Sequence, residues 1–124
     1  MKPKISIVED NPDNRLLVQA LLEEHYDLAE HETGNSAVEG LIDDHPDLVL
    51  LDISLPDLDG TDVLRWIREQ DELKDVPVVA LTAHAMAGDR EKFLGQGFND
   101  YVTKPIVDET ILLETISRWL KTPE

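Results

Sequence analysis

Five polar side chains stand where the apolar runs of this sequence stop. Glu9 and Asp10 follow Ile5-Ser6-Ile7-Val8, and Asp52 follows Leu48-Val49-Leu50-Leu51. Thr82 follows the run from Val76 to Leu81, and Lys104 follows Asp100-Tyr101-Val102-Thr103. Taken singly, each has a plain reading: Asp52 as a turn acid, Glu9 as surface charge, Thr82 as a helix cap, Lys104 as a solvated lysine. Brought together, they make three carboxylates, one hydroxyl and one ammonium. Crowded carboxylates repel one another, and their pKa values rise unless a cation relieves them. The chain has no cysteine, and none of its histidines falls at these positions. A hard, oxygen-liganded divalent ion therefore fits, with Mg2+ the expected one. A metal, a lysine and a hydroxyl suit phosphoryl transfer, which is mostly positioning and stabilisation of charge. One carboxylate must then be the nucleophile. Asp52 is the best placed, because it ends the most central and most apolar strand.

The elements that must position these groups are legible as an alternation of apolar runs with amphipathic stretches. Ile5–Val8 reads as a strand. Asn11-Pro12 reads as a helix start, with Asn11 as the cap and Pro12 at the first helical position. Leu17, Ala20, Leu21 and Tyr26 continue as a helical stripe, with Tyr26 near the end. Residues 26–31 form a weaker strand. Gly34-Asn35-Ser36 opens a helix carrying Ala37, Val38, Leu41 and Ile42. Leu48–Leu51 reads as a strand buried on both faces, the mark of a parallel sheet covered by helices. Pro56-Asp57-Leu58-Asp59-Gly60 is a turn, and Val63, Leu64 and Ile67 follow at helical spacing. A strand entered through Pro77 comes next. Met86 to Leu94 is then helical, ended by Gly95 and Gly97. Residues 100–103 form a short strand, and Ile111, Leu112, Ile116 and Leu120 mark the last helix. Five strand–helix units in alternation predict an α/β fold, an open parallel sheet with helices on both faces and right-handed crossovers. In such sheets ligands bind beyond the carboxyl ends of the strands, where these five polar side chains fall.

Composition narrows the function classes. The chain of 124 residues suits one domain, and its 41% hydrophobic content excludes a disordered chain. The absence of cysteine excludes disulfides, a zinc–thiolate site and a thiol nucleophile, and fits a reducing cytoplasm. No apolar run approaches the roughly 20 residues needed to span a bilayer. The net charge of −16 repels nucleic acid and anionic membranes, so neither is an expected direct partner. His25, His31 and His45 read as surface residues without metal-ligand spacing, and Trp66 and Trp119 read as packing.

The motifs Val8-Glu9-Asp10-Asn11, Leu50-Leu51-Asp52-Ile53-Ser54-Leu55-Pro56 with Asp59-Gly60, Leu81-Thr82-Ala83 and Tyr101-Val102-Thr103-Lys104-Pro105 occur in this order across almost the whole chain. Each is weak alone. Together they resemble the receiver domains of two-component response regulators, including the single-domain regulators of chemotaxis and the cell cycle. The resemblance implies one receiver domain over residues 1–124 and a doubly wound (βα)5 fold of flavodoxin-like strand order 2-1-3-4-5. It also implies a set of roles. Asp52 resembles the phosphorylated aspartate. Asp10 with Glu9 resembles the acidic pair that holds Mg2+, and the Ser54 carbonyl would complete the protein ligands. Thr82 resembles the hydroxyl that bonds the new phosphoryl group, and Lys104 resembles the lysine that pairs with it. Lys104-Pro105 resembles the family's cis peptide, and Tyr101 the aromatic that changes rotamer as Thr82 moves.

The implied partners are a histidine kinase or histidine phosphotransfer protein as donor, and a downstream protein at the face of the fourth helix, fifth strand and fifth helix. Glu9 departs from the family's frequent aspartate. Ser54 and His84 stand two residues past Asp52 and Thr82, where family side chains influence dephosphorylation. Two other functions compete with the signalling switch. A magnesium phosphatase of the haloacid-dehalogenase kind would carry a second aspartate where Ser54 stands. A receiver fold used only for docking would have no need of the Asp10, Asp52, Thr82 and Lys104 set. No P-loop or Gly-rich fingerprint supports nucleotide binding. Met1 reads as a native start, whereas the end at Glu124 leaves open a stand-alone protein or a piece of a larger regulator or hybrid kinase.

Overall fold

The computed structural model describes residues 3–82, 89–104 and 109–120. Its elements run β1 (Lys4–Val8), α1 (Pro12–Leu22), β2 (Asp27–His31), α2 (Gly34–Asp44) and β3 (Leu48–Asp52). They continue α3 (Gly60–Glu69), β4 (Val78–Thr82), α4 (Asp89–Gln96), β5 (Asp100–Thr103) and α5 (Glu109–Trp119). The strands form one parallel sheet in the order β2-β1-β3-β4-β5, as expected.

The apolar runs are continuous because the sheet is covered on both faces, and successive side chains of a strand point to opposite sides. Val49, Leu51, Val78 and Ala80 join Ala37 and Leu41 of α2, Val63, Leu64 and Ile67 of α3, and Phe93 of α4 in one core. Leu48, Leu50, Val79 and Leu81 join Val18 and Leu22 of α1 and Leu112 and Ile116 of α5 in the other. The strand order reverses between β1, which turns outward to β2, and β3, which continues toward β4. That reversal opens a crevice at the carboxyl ends of β1 and β3.

Local chemistry sets the element ends. The Asn11 side chain accepts from the Asp13 and Asn14 N–H groups at the start of α1, ahead of Pro12. Thr33, rather than a residue of the Gly-Asn-Ser run, caps α2 through the Ser36 N–H. Gly97, at φ 113°, follows α4, whereas Gly95 lies within the helix. Tyr26 lies beyond the end of α1, and the face of that helix turned to the sheet is Val18 and Leu22. Leu17 and Ala20 are exposed, so the expected stripe is displaced by about one position. The reason is tertiary: Leu17 and Leu21 have the same four-residue spacing as Val18 and Leu22, and packing on the sheet selects the second pair.

His31 is not a surface residue. It is buried at the end of β2, with Nε2 2.7 Å from Asp44 Oδ2 and Nδ1 3.2 Å from Ser36 Oγ. The Ser6 hydroxyl donates to the same Asp44 oxygen at 3.0 Å. A Cβ on Gly40 would stand 2.6 Å from His31 Cε1, so the glycine is what admits the imidazole beneath α2. His25 and His45 are exposed.

Candidate functional site

The register of the sheet delivers the polar groups to one edge. Val8 pairs with Leu51, and Asp52 with Leu81, so Glu9 and Asp10 emerge beside Asp52. Thr82 comes one residue after Leu81 and pairs with Thr103, the residue before Lys104. Backbone bonds carry the strands past their ends: Glu9 N–H donates to His31 O at 3.0 Å, Ile53 N–H to Leu81 O at 3.1 Å, and Lys104 N–H to Thr82 O at 2.7 Å.

Lys104 Nζ sits 3.1 Å from Glu9 Oε1 and 3.1 Å from Asp52 Oδ2. The other Asp52 oxygen accepts from the Ser54 N–H at 3.0 Å, and the other Glu9 oxygen from the Asn11 N–H at 3.1 Å. Carboxylate oxygens of Glu9, Asp10 and Asp52 lie within 4.8 Å of one another. Glu9 is fully buried, Asp52 is 1% exposed, and Asp10 opens to solvent, so two acids form the floor and one the mouth. Glu9 is thus no plain surface charge.

Burial, then the proximity of Asp52, pushes Glu9 up to about 7. Burial also opposes charge on Asp52. The hydrogen bonds from Glu9 and the Ser54 N–H, and the Lys104 ammonium, outweigh it and hold Asp52 below the ordinary carboxylate value. Lys104 is likewise opposed by burial, yet the two acids hold it above the usual lysine value. In the metal-free protein near neutral pH, Asp52 is therefore ionised while Glu9 retains a proton for part of the time. The donor set of three carboxylates, without nitrogen or sulfur, fits a hard divalent cation such as Mg2+.

Thr82 is buried at the end of β4. Tyr101 is half-buried on β5, its ring against Phe93 of α4 with centroids 5.6 Å apart. The Ser54 side chain is exposed, and its backbone N–H is the group that touches Asp52. His84, Ala83, Pro105, the expected helix start at Met86 and the ends at Met1 and 121–124 lie outside the described residues. Trp119 does more than pack: its indole N–H donates to the buried Asp100 carboxylate at 3.0 Å, beside Arg118 at 2.9 Å.

Two features of the loop after β3 have no signature in the sequence. Gly60 lies so close to the acid that a Cβ there would stand 2.6 Å from Asp52 O and 2.7 Å from Ile53 Cα. Its N–H donates to Ile53 O at 2.9 Å. The start of α3 thus rests directly on the Asp52 backbone. Asp57, a turn residue in the sequence pattern, accepts from the Gly34 and Asn35 N–H groups at 2.9 Å each and ties this loop to the start of α2. Those bonds hold its carboxyl below the ordinary value. No local signal announces a contact between residues 57 and 34.

An open parallel α/β sheet with an acidic crevice at its switch point is a class with many members; comparison with known proteins narrows it. The profile of the response regulator receiver domain matches residues 5–117, and the chain belongs to that family. The polar-differentiation response regulator DivK of Brucella ovis is 38% identical over 97% of this chain and 98% of its own. The histidine-protein kinase BarA of Shigella flexneri is 42% identical over 86% of this chain, which spans only 12% of that kinase. Among solved structures, the receiver domain of the sensor histidine kinase PA1611 from Pseudomonas aeruginosa PAO1 has a magnesium ion coordinated in its active site cleft. It superposes with a TM-score of 0.88 at 37% identity, over 98% of this chain and 100% of that one. The chemotaxis protein CheY4 of Vibrio cholerae shares the fold, with a TM-score of 0.89 at 22% identity, over 97% and 100% of the two chains.

Proposed function

We propose that residues 1–124 act as one receiver domain that accepts a phosphoryl group on Asp52 from the phospho-histidine of a histidine kinase or phosphotransfer protein. The observation that carries this reading is the setting of Asp52: a buried carboxylate at the end of a central strand, one oxygen accepting from the Ser54 N–H and the other against Lys104. A carboxylate oxygen of Asp52 attacks phosphorus and the phosphorus–nitrogen bond breaks. The bonding pair returns to the donor imidazole, leaving an acyl phosphate on Asp52. Asp10, Asp52, Glu9 and the Ser54 carbonyl would hold Mg2+, which supplies neutralisation of the phosphoryl charge.

The chain's own residues do the rest. Lys104, already against Asp52, pairs with a phosphoryl oxygen once the carboxylate oxygen has become part of the acyl phosphate. Thr82 donates its hydroxyl to another, and Tyr101 follows it inward over Phe93. Those shifts alter the face formed by α4, β5 and α5, where a downstream protein reads the state. A ligand or modification shifts such an equilibrium only by its differential interaction with the two states, so the phosphoryl group must bond Thr82 and Lys104 better in one state than in the other. Water returns Asp52 to the carboxylate by hydrolysing the acyl phosphate. Because the donor phospho-histidine is made from ATP, the reaction belongs in the cytoplasm.

The test is incubation with Mg2+ and acetyl phosphate, followed by intact mass and amide NMR, with Asp52→Asn alongside. The expected result is the gain of one phosphoryl group, absent from Asp52→Asn, with amide shifts reaching Thr82 and Tyr101. A folded protein that gains no mass from acetyl phosphate or from a phospho-histidine donor would instead be a docking module with a receiver fold.

A further inference from the structure

Arg15 occupies an unfavourable place for a cation. It lies in the first turns of α1, whose amino end carries the positive end of the helix dipole. Its guanidinium turns back over the loop before the helix. Nη1 donates to Glu9 O at 2.9 Å and reaches Asp10 O at 3.5 Å. Nη2 meets Glu32 at 3.2 Å, and Nε meets Glu30 of β2 at 3.4 Å. The side chain is only 15% exposed.

Those two carbonyls belong to the peptides on either side of the Asp10 Cα. The Glu9 N–H is held by His31 O, and the Asn11 N–H by the Glu9 carboxylate. With Arg15 in place, the backbone entering and leaving Asp10 is bonded from both directions. Asp10 has the greatest need of this. Glu9 and Asp52 are fixed by burial and by Lys104, whereas Asp10 is exposed and draws on neither. Glu30 and Glu32 complete the arrangement. A bare guanidinium beside the acids would repel a divalent cation, and two carboxylates on its far side offset that charge.

We infer that Arg15 is a positioning residue for the metal-binding acids, holding the Asp10 backbone while Glu30 and Glu32 anchor the guanidinium and cancel its charge. This rests on the reading of the acidic crevice as a Mg2+ site. The planar fork is essential, since a lysine ammonium cannot serve two carbonyls and two carboxylates from one plane.

The role has a signature that neither charge nor folding reproduces. Removing a cation near the acids should tighten Mg2+ binding if Arg15 acted only through its charge. Removing a supporting group should weaken it, by roughly tenfold or more for partners that orient metal ligands. Calorimetric titration of the full chain with Mg2+ is compared for wild type, Arg15→Gln and Arg15→Lys. Amide exchange at Glu9 and Asn11 is recorded without metal. The expected result is weaker Mg2+ binding in both variants and faster exchange at both amides, with circular dichroism unchanged. Arg15→Lys supplies the folded comparison if Arg15→Gln does not fold. Mg2+ affinity equal to or above wild type in a folded variant overturns the inference and leaves the metal site standing. Failure of the wild-type protein to bind Mg2+ removes the metal site and the inference together.

Discussion

Two buried polar clusters lie within a few residues of each other in this sheet and are built on opposite terms. Beneath α2, His31 meets Asp44 and Ser36, and Ser6 meets Asp44, with Gly40 closing over the imidazole. One carboxylate, one imidazole and two hydroxyls satisfy each other from within the chain. At the crevice, three carboxylates face one ammonium. Fully ionised, they sum to −3 + 1 = −2, the charge a divalent cation cancels. The first cluster is complete and holds β1, β2 and α2 together. The second is left short of positive charge, and burial, with Asp52 beside it, raises Glu9. The contrast teaches how to separate structural from functional polar burial: the question is whether the polar groups are satisfied without an outside partner.

Breaking the closed cluster should cost the most stability. His31→Ala opens a cavity and leaves the Asp44 carboxylate with the Ser6 hydroxyl alone, so unfolding free energy should fall by about 3 kcal/mol, with Mg2+ binding retained. Urea denaturation with calorimetry of the same sample checks both halves. Loss of Mg2+ binding at unchanged stability would erase the distinction between the clusters.

The open cluster should reveal itself through pH. Glu9 is raised from the ordinary carboxylate value of 4.5 to about 7 in the folded protein. Between these values the folded protein holds more protons than the unfolded chain, so metal-free stability falls as pH rises through that window. The expected loss is on the order of 2 kcal/mol, because the group is buried but coupled to Asp52. Asp52, held low, is already ionised there and adds no slope. Urea unfolding in EDTA at pH 5 and pH 8 measures the difference, and Glu9→Gln should flatten it. A slope unchanged by Glu9→Gln would place the titration elsewhere.

The smallest effect belongs to Asp57, which touches neither cluster. Its carboxyl is held low by the Gly34 and Asn35 N–H groups, so its contribution is present above the ordinary carboxylate value and lost as pH falls through the lower folded value. Asp57→Ala should hasten amide exchange at Gly34 and Asn35 with little change in global stability. Protection equal to wild type at those amides would remove the tie between the β3–α3 loop and α2.

What the sequence disclosed follows the range of the forces involved. Asn11-Pro12, the run Leu48–Leu51 and the span 100–103 are local patterns, and the structure places them as read. The convergence of positions 9, 10, 52 and 104 was legible because parallel strands carry their ends to one edge. The phase of α1 was not, because exposed Leu17 and buried Val18 are equally apolar and only the sheet chooses between them. His31, Asp57 and Arg15 escaped for a related reason: their partners lie on other elements, and nothing in the flanking residues marks them.

The edge position of β5 gives these charges an order of release. Glu9 and Asp52 leave the sheet from β1 and β3, each paired on both sides, whereas Lys104 hangs from a four-residue strand paired only with β4. Short edge strands open more readily than the strands they flank. Fraying of β5 therefore withdraws the balancing ammonium while the acids stay in register. In the metal-free protein such local opening exposes the acid pair to its own repulsion, and a bound divalent ion, by supplying the missing charge, makes the crevice less dependent on that last strand.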